Sequence, residues 1–307
     1  KLTALPFATV DIPALPAGFI ILWYAAIFVV SGYCLFKPWL KRTAAAILVV
    51  GMAAILVIPS LTQEKTLEIY FADVGQGDAI LISTPEGTHY LVDTGKVYST
   101  DELERVLKSQ GIYLDGLFLT HADNDHIGGA ETLLTDGLAA HLYLPYAGRN
   151  TFDLKTDTWT TYLEKGDTMN LSDSVALKVL SPAGDMDDEN KNETSLCLLI
   201  SYKDYRVLLT GDINLNVEND IMDEVGDIDV LKVTHHGTKY GSSPAFLTAV
   251  TPEIAVITCG ENNYGHPAPQ TLYNLADACD IIYRTDLNGG IMMSFGDTIK
   301  AVPVLPN

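Results

Sequence analysis

Six residues in the middle of the chain concentrate side chains of the kinds that bind metals. The segment 121–126, with the sequence HADNDH, places two imidazoles and two carboxylates at its first, third, fifth and sixth positions. An apolar run, Gly116–Thr120, precedes it and predicts a buried strand, and two glycines follow it. A strand that ends in such a cluster can aim several side chains at one point. Since histidine nitrogen and carboxylate oxygen both bind divalent cations, the segment predicts a metal site.

Four other segments place similar side chains directly after apolar runs. Asp93 ends the run LVD, and Asp212 ends the run VLLTGD. The adjacent pair His235 and His236 follows LKVT, and His266 lies in the tight loop NYGHP. Loops at the ends of a rigid scaffold are where chemistry tends to be placed. The sequence therefore predicts that these side chains join the 121–126 segment in one site.

The elements that must position these residues form a mixed pattern from Leu67 onward. Consecutive short strands with interspersed helices predict an α/β (α+β) domain of two sheets with helices outside them. Predicted helices include 100–110, 127–134, 244–250 and 269–278, and a further helix is suggested at 159–165. The last predicted strand is 290–295, which closes the chain.

The first 65 residues differ from the rest in hydropathy and charge. Residues 18–36 and 43–59 are two uncharged apolar runs, joined by the basic segment 37–42. They predict two transmembrane helices (residues 1–65) ahead of a separate domain (residues 66–307). A pair of buried soluble helices is the alternative, which the lack of a polar face on either run disfavours. The positive-inside rule places the basic connector in the cytoplasm and the domain outside it, in an extracytoplasmic position.

The charge of the chain restricts the substrates to be considered. Residues 1–65 hold five basic and two acidic residues, hence +3, which leaves −23 for the remainder of a total of −20. This balance argues against a broad basic face for nucleic acid. Metal ions can supply positive charge locally, however, so a phosphodiester substrate remains possible. The four scattered cysteines contain no CxxC pair and indicate no thiolate metal site.

The order of these motifs resembles a known family. The order of Asp93, HxDxDH, Asp212 and His235-His236 is similar to the metallo-β-lactamase superfamily, with Asp123 at the second histidine of its usual HxHxDH motif. More closely, residues 71–79 (FADVGQGDA) resemble the DVGQGD signature of ComEC-type competence proteins, which are membrane channels for DNA uptake. The resemblance covers residues 67–295, and the two apolar runs resemble the end of the family's channel domain.

The resemblance implies an αββα sandwich that holds two divalent metal ions. Carried over by position, the metal ligands are His121 and Asp123 for the first ion, Asp125, His126 and His235 for the second, and Asp212 between the two. The residues assigned to catalysis are Asp93, Asp125, His236 and His266. Which of the two adjacent histidines is the ligand stays open, and the other, with His266, is a candidate proton donor or phosphate contact.

The first metal position departs from the family pattern. A third histidine is usual there, whereas this chain has Asn192-Glu193-Thr194-Ser195, so that ligand is missing or is replaced by Asn192. An oxygen-rich site suits Mn²⁺ better than a three-histidine site does. We therefore expect Mn²⁺ rather than Zn²⁺ as the favoured ion.

The function that the resemblance implies is a metal-dependent nuclease or phosphodiesterase of a multi-pass membrane protein for DNA uptake. It would degrade the strand that is not imported, with single-stranded or duplex DNA as substrate. The implied partners are other proteins of the competence machinery and a channel region that precedes Lys1. A basic path for DNA is not evident, and Lys232, Lys239 and Arg284 are the candidates for it.

Two other functions compete with this one. The first is a membrane-anchored hydrolase of another phosphoester, such as phosphorylcholine on an envelope polymer. The second is a catalytically degenerate domain that only helps to gate a channel. β-Lactam hydrolysis is disfavoured by the DVGQGD signature.

Overall fold

The computed structural model describes residues 17–31, 37–62, 65–184, 186 and 191–304. The chain divides into two compact units, residues 1–64 and 65–307. The two units are taken separately below.

The first unit is a pair of antiparallel helices, α1 (Ala17–Val30) and α2 (Pro38–Thr62). Gly18 lies against the side chain of Ile55, and Gly51 lies against that of Leu22, so the two helices run in opposite directions. The predicted transmembrane runs fall on these helices, although residues 32–36 of the first run lie outside the described residues. Of the helices in the described ranges, none is long and apolar enough to cross a membrane. The transmembrane prediction is therefore not confirmed.

The second unit contains fifteen strands and seven α-helices within its described residues. The strands are β1 (Leu67–Phe71), β2 (Ile80–Ser83), β3 (His89–Val92), β4 (Gly116–Phe118), β5 (His141–Pro145), β6 (Trp159–Leu163), β7 (Thr168–Asn170), β8 (Val175–Ser181), β9 (Cys197–Tyr202), β10 (Tyr205–Leu209), β11 (Val230–Lys232), β12 (Ile254–Ile257), β13 (Ile281–Arg284), β14 (Gly290–Phe295) and β15 (Ile299–Val304). The helices are α3 (Thr100–Gln110), α4 (Asn124–Ile127), α5 (Ala130–Thr135), α6 (Leu215–Val225), α7 (Pro244–Val250), α8 (Pro269–Ala278) and α9 (Thr285–Asn288).

The strands form two sheets that pack face to face. The first has the order β15-β14-β1-β2-β3-β4-β5-β6, and the second has the order β13-β12-β11-β10-β9-β8-β7. Buried apolar side chains from both sheets meet between them, among them Phe71 and Phe118 from the first sheet and Leu198 and Val256 from the second. This shared core joins the two sheets into one sandwich.

Each sheet is also covered on its outer face. Leu103 and Leu107 of α3 pack against Leu91 of the first sheet in a second apolar cluster. Residues of α6, α7 and α8 cover the second sheet in a third. The result is a four-layer arrangement of helices, sheet, sheet and helices, and it confirms the predicted mixed α/β fold with two sheets.

The direction of the central strands fixes where a site can form. Strands β3 to β6 are parallel to one another, and so are β10 to β13. The carboxyl ends of parallel strands lie at one edge of a sheet, where the loops that follow them can meet. The loops after β3, β4, β10 and β11 carry the residues that the sequence singled out.

Three local predictions were wrong or incomplete. Residues 159–163 form β6, not a helix, and pair in parallel with β5. Their run of aromatic and threonine side chains fits a pleated surface better than a helix. The prediction omitted α6, which Asn214 caps by accepting hydrogen bonds from the amides of residues 216 and 217. It also ended the chain's strands too early, because β15 pairs with β14 at the edge of the first sheet.

Candidate metal centre

Thr120, which follows the neighbouring strand β4, holds Asp93 in place by two hydrogen bonds. It comes just after β3 with a φ of 60°, a left-handed conformation that aspartate tolerates better than most residues. Its Oδ1 accepts a hydrogen bond from the Thr120 amide (2.8 Å), and its Oδ2 accepts one from the Thr120 hydroxyl (2.7 Å). Oδ2 also lies 2.7 Å from His126 Nδ1. The carboxylate therefore fixes the orientation of the His126 ring.

The HADNDH segment leaves β4 and turns into the short helix α4. His121 comes first, and its Nδ1 lies 3.0 Å from the Thr120 hydroxyl. Asp123 precedes α4 in an extended conformation, and the amide of His126 donates to its carbonyl (2.9 Å). The turn brings both histidines to the same side, with their ring centroids 4.2 Å apart.

The second sheet supplies the facing half of the centre. Asp212 follows β10, and the 3₁₀ turn Thr234–Gly237 follows β11. Within that turn, His235 and His236 both have left-handed backbones, with φ values of 47° and 53°. Such conformations cost free energy in a non-glycine residue and persist where the surroundings enforce them. The turn is therefore strained at the two residues that enter the site.

Glu218 of α6 helps to hold this turn in its strained conformation. Its buried carboxylate accepts hydrogen bonds from the Thr234 hydroxyl (2.9 Å) and from the amides of Ser242 and Ser243. These contacts tie the start and the end of the loop to one side chain. Burial raises the pKa of Glu218, although the three donors partly oppose this.

One oxygen of Asp212 lies at the point where the imidazoles converge. Its Oδ2 is 3.3 Å from His126 Nε2, 3.4 Å from His236 Nε2, 3.4 Å from His235 Nε2 and 4.0 Å from His121 Nε2. Four ring nitrogens from both sheets thus surround a single carboxylate.

Hydrogen bonds at Nδ1 orient two of these rings. His236 Nδ1 lies 2.7 Å from the Thr258 carbonyl, and His126 Nδ1 lies 2.7 Å from the Asp93 carboxylate. Because only an N–H can make either bond, a neutral ring carries its lone pair on Nε2. The two Nε2 atoms are 3.3 Å apart, so with both rings neutral the two lone pairs would point at each other. A proton on one ring or a cation bound by both rings removes this repulsion, and an outward Nδ1 contact of this kind is usual for metal-binding histidines.

Buried polar atoms without hydrogen-bond partners also indicate a metal site. Among the described residues, His121 Nε2 and Asp212 Oδ1 are buried without a hydrogen-bond partner. Buried polar atoms without partners are rare and call for an explanation such as a bound ion. Within the described part of the chain, four groups of three side chains have ligand atoms within 4.8 Å of one another: His121-His126-Asp212, Asp125-His126-His236, Asp78-Asp212-His236 and Asp78-Asp93-His126. The residues present therefore fit divalent metal ions.

The electrostatic field of the centre favours a cation. Burial opposes charge on Asp212, but His236 and His126 outweigh it and hold the pKa of the carboxyl well below its usual value. Burial likewise disfavours a charged His126, but Asp212 and Asp93 raise its pKa well above the usual value. A field that attracts a proton to His126 in this way also attracts a metal ion.

A buried ion pair that the sequence analysis did not assign lies beside Asp212. Lys232 Nζ is 2.5 Å from Asp78 Oδ2, 3.6 Å from Asp212 Oδ1 and 3.0 Å from the Gly211 carbonyl. Asp78 Oδ1 accepts a hydrogen bond from the Thr258 hydroxyl (2.5 Å). A charged side chain inside the apolar run LKV was the available signal, because buried charges are almost always paired. Lys232 is fully buried, which corrects its candidacy for a DNA path on the surface.

The side of the centre formed by His121 and Asp123 is more open. His121 Nε2 lies 3.6 Å from Asp123 Oδ2. Lys191 Nζ lies 3.4 Å from Asp123 Oδ1 and donates to the Ala122 carbonyl (3.1 Å). The neighbouring imidazole of His121 and the charge of Lys191 lower the pKa of Asp123 to about 2. Residues 192–195 stand where the sequence lacks the expected third histidine, and there the Asn192 carbonyl accepts a hydrogen bond from the Ser195 amide. The neighbouring Lys191 brings its ammonium group to Asp123 instead.

The two adjacent histidines have different surroundings. From the sequence, we expected His235 as the ligand and His236 in catalysis. His236 is buried and lies 3.9 Å from Asp125 Oδ2, within the second group of candidate ligands. His235 is partly exposed and belongs to none of these groups in the part of the chain that the structure describes. The geometry therefore favours the opposite assignment of the two.

His266 lies on the open side beside His235, with their ring centroids 5.4 Å apart. Burial lowers the pKa of His235 to about 4 and also lowers that of His266. Both rings are therefore neutral near pH 7, where they are poor proton donors. Of the other two candidates for a DNA path, Lys239 lies over the Tyr240 ring, and Arg284 pairs with Asp286 at 2.6 Å.

Comparisons with known proteins agree with this geometry. Residues 72–261 match the family described as the metallo-beta-lactamase superfamily. ComE operon protein 3 of Bacillus subtilis is 31% identical, over 87% of this chain and 38% of that protein. Recombination protein 2 of Haemophilus influenzae is also 31% identical, over 84% of this chain and 33% of that protein. The chain thus spans between 33% and 38% of the lengths of these two relatives.

A solved structure shares the fold at a greater distance. A metallo hydrolase from the archaeon Ignicoccus hospitalis superposes with a TM-score of 0.54 at 17% identity, covering 75% of this chain and 100% of that one. At this identity the likeness shows the fold alone. The family match and the clusters of histidine and aspartate together imply divalent metals and support a metal-dependent hydrolase. The chain belongs to the metallo-beta-lactamase superfamily, and its curated relatives are competence proteins of ComEC type.

Proposed function

We propose that this chain is a metal-dependent phosphodiesterase that cleaves DNA during competence, as part of a longer protein. The observation that carries the proposal is the convergence of ring nitrogens from both sheets on Asp212 Oδ2. His126 Nε2 and His236 Nε2 face each other there at 3.3 Å. An arrangement of this kind fits a pair of adjacent cations with one carboxylate between them.

The side chains divide into two sets around Asp212. His121 and Asp123 would hold one divalent ion, and Asp125, His126 and His236 would hold the other. Bound there, two divalent ions would lower the pKa of water and offset the negative charge of a phosphodiester. We propose Mn²⁺ as the favoured ion, because the His121 side offers one nitrogen and otherwise oxygen ligands.

The remaining residues orient these ligands and contact the substrate. Asp93 and the Thr258 carbonyl hold the Nδ1 atoms of His126 and His236, which turns both Nε2 atoms inward. His235 and His266 lie on the open side. Because each is neutral near pH 7, each has one ring N–H with which to donate to a phosphate oxygen.

Hydrolysis by the purified 307-residue chain tests the proposal. It should be offered bis-p-nitrophenyl phosphate, single-stranded DNA, duplex DNA and a phosphorylcholine ester, with Mn²⁺, Mg²⁺ and Zn²⁺ in turn. We expect cleavage of the first two with Mn²⁺, and we expect Asp212→Asn to lower it by about 1000-fold or more. Asp223→Asn, at an exposed position of α6, is the matched control and should leave the rate unchanged. Full activity of a folded Asp212→Asn chain would refute the two-ion proposal.

The acidic charge of the chain favours a second candidate substrate. A net charge of −20 disfavours a polyanion, so a phosphorylcholine ester on an envelope polymer is the alternative. Cleavage of that ester without cleavage of DNA would establish it. Absence of hydrolysis from every substrate, with metal bound, would instead indicate a degenerate gating domain.

We also propose that the apolar N-terminal segments span the membrane and place the hydrolase outside the cytoplasm, beside other competence proteins. The sequence supports this through two uncharged runs that flank the basic segment 37–42. Protease added to intact cells should digest residues 66–307. Protection of those residues would contradict the proposed location.

A further inference from the structure

We propose that four exposed tyrosines around the metal centre bind single-stranded nucleic acid by stacking against its bases. The four are Tyr98, Tyr146, Tyr240 and Tyr264, and we call them the tyrosine cluster. This inference rests on the proposed function, because it names the substrate class of that same site. Between 41% and 74% of each residue's surface is exposed, so a ligand can reach each side chain.

Tyr98 lies on the loop that follows Asp93. The Thr94 amide donates to the His126 carbonyl (2.7 Å), and the Gly128 amide donates to the Gly95 carbonyl (2.9 Å). These bonds tie the loop to α4, which carries two candidate ligands. Tyr98 also lines a cleft of about 400 Å³ together with residues of the 261–263 loop. It therefore borders both the centre and the loop of the next tyrosine.

Tyr264 lies on that neighbouring loop, which Asn262 holds in place. The Asn262 side chain accepts from the Tyr264 amide (3.0 Å) and donates to the His266 carbonyl (2.7 Å). The Tyr264 ring centroid is 5.9 Å from that of His266, which is 5.4 Å from that of His235. A row of rings thus leads from the exposed tyrosine to the edge of the centre.

Tyr240 follows the strained turn that holds His235 and His236. Its carbonyl accepts from the Leu215 amide (3.0 Å), which anchors the loop to the start of α6. The ammonium group of Lys239 lies 4.9 Å from the centre of its ring.

Tyr146 follows β5, next to the strand that delivers His121. Its loop packs on the 191–195 turn, where a Cβ atom at Gly148 would lie 2.6 Å from the Thr194 hydroxyl. That hydroxyl donates to the Lys191 carbonyl (2.9 Å), and Lys191 in turn contacts Ala122. Tyr146 therefore lies beside the His121 side of the centre.

Three of the four tyrosines have a cation beside the ring. Arg149 lies 4.0 Å from the Tyr146 centroid, Lys239 lies 4.9 Å from that of Tyr240, and Lys96 lies 6.0 Å from that of Tyr98. Proteins that bind single strands combine aromatic faces, on which bases stack, with cations that contact the backbone. In a chain with a net charge of −20, these pairs provide positive charge at the site itself.

Stacking on tyrosine favours single-stranded over duplex nucleic acid. In a duplex the base faces are already stacked, whereas a single strand can turn them toward tyrosine. Affinity that comes from ring faces also depends less on net protein charge than phosphate contacts do. The tyrosine cluster thus accounts for DNA binding by an acidic domain that lacks a broad basic face.

The test measures binding, separately from cleavage. A fluorescent single strand of about 15 nucleotides is titrated with the 307-residue chain in excess EDTA, and its anisotropy gives the Kd. We expect Tyr98→Ala and Tyr264→Ala each to raise the Kd by about 5-fold or more, and Tyr→Phe at either position to change it by less than about 2-fold. The matched control is Tyr113→Ala: Tyr113 is 71% exposed but precedes β4, at the opposite edge of the sheet from His121.

Two further ligands complete the experiment. A strand of the same length without bases, and a duplex of the same sequence, should both bind at least about 10-fold more weakly. Equal binding of the strand without bases, or an unchanged Kd for the Tyr98→Ala/Tyr264→Ala double variant, would overturn the inference.

The hydrolysis of bis-p-nitrophenyl phosphate separates this inference from the proposed function. That compound has no nucleobase, so its cleavage by the wild-type chain reports on the metal centre independently of strand binding. If the wild type fails to cleave it while strand binding still depends on the tyrosines, the proposed function fails and the inference stands. If cleavage occurs but binding is independent of the tyrosines, the inference alone fails.

Discussion

The two sides of the metal centre are built differently. On one side, His126 and His236 are buried, and a carboxylate and a carbonyl hold their outer nitrogens. On the other, His121 faces the partly exposed Asp123, which an ammonium group approaches. The first side is rigid and rich in nitrogen, whereas the second is open and rich in oxygen. If both sides bind an ion, we therefore expect the two positions to differ in affinity and in preferred metal, with the His126 side the tighter one.

The largest effect should separate the two adjacent histidines. His236→Gln removes a buried ring nitrogen beside Asp212 and should weaken metal binding by more than about 100-fold. His235→Gln, the matched control one residue away, should weaken it by less than about 10-fold. Calorimetric titration of the metal-free chain with Mn²⁺ measures both. A larger loss from His235→Gln would restore the assignment that the sequence suggested.

A smaller effect should follow from loosening the rigid side without removing a ligand. Asp93→Asn leaves an acceptor for the Thr120 amide but weakens the hold on His126 Nδ1. Removal of such an outer contact typically lowers metal affinity by about 10- to 100-fold. The same titration, supported by circular dichroism to confirm folding, is the measurement. Unchanged affinity would mean that Asp93 does not orient His126.

The open side should respond in the opposite direction. Lys191→Met removes an ammonium group 3.4 Å from Asp123 Oδ1, where it competes with a metal ion. We expect the weaker of the two binding events to tighten by up to about 5-fold, since a partly exposed ion pair contributes about 1 kcal/mol at most. Lys165→Met, which breaks the ion pair with Glu224 on α6, is the control and should change nothing. Weaker binding in Lys191→Met would show that the lysine supports the site.

The smallest effect concerns the pH dependence of stability. Burial lowers the pKa of His235 from 6.5 to about 4, so the unfolded chain binds this proton at a higher pH than the folded one does. Its contribution to stability is present above pH 6.5 and is lost as the pH falls toward 4. His235→Gln should therefore lessen the fall in stability over that range, by about 1 kcal/mol for a partly exposed group. Urea denaturation of the metal-free chain at pH 7 and pH 4.5 measures it, and equal losses in the two proteins would contradict the lowered pKa.

Much of the centre followed from the sequence, because its residues lie at strand ends. Asp93, Asp212 and the 121–126 segment each follow an apolar run, and parallel strands bring such ends to one edge. The Asp78–Lys232 pair did not follow, because its members lie far apart in the sequence and a single buried charge does not name its partner. The roles of His235 and His236 could not be read either, since they depend on backbone angles within one turn. The sequence does indicate α6, because Val217, Ile221 and Val225 recur every four residues and form its buried face.

The left-handed turn at His235 and His236 sets stability against activity at two neighbouring positions. Glycine adopts those backbone angles without strain, so a search for heat-resistant variants would favour it there. A search for hydrolysis would reject the same change, at least at His236, because the ring nitrogen would be lost. Variant libraries at these two codons should therefore give opposite rankings under the two selections, a trade-off between stability and activity confined to a single turn.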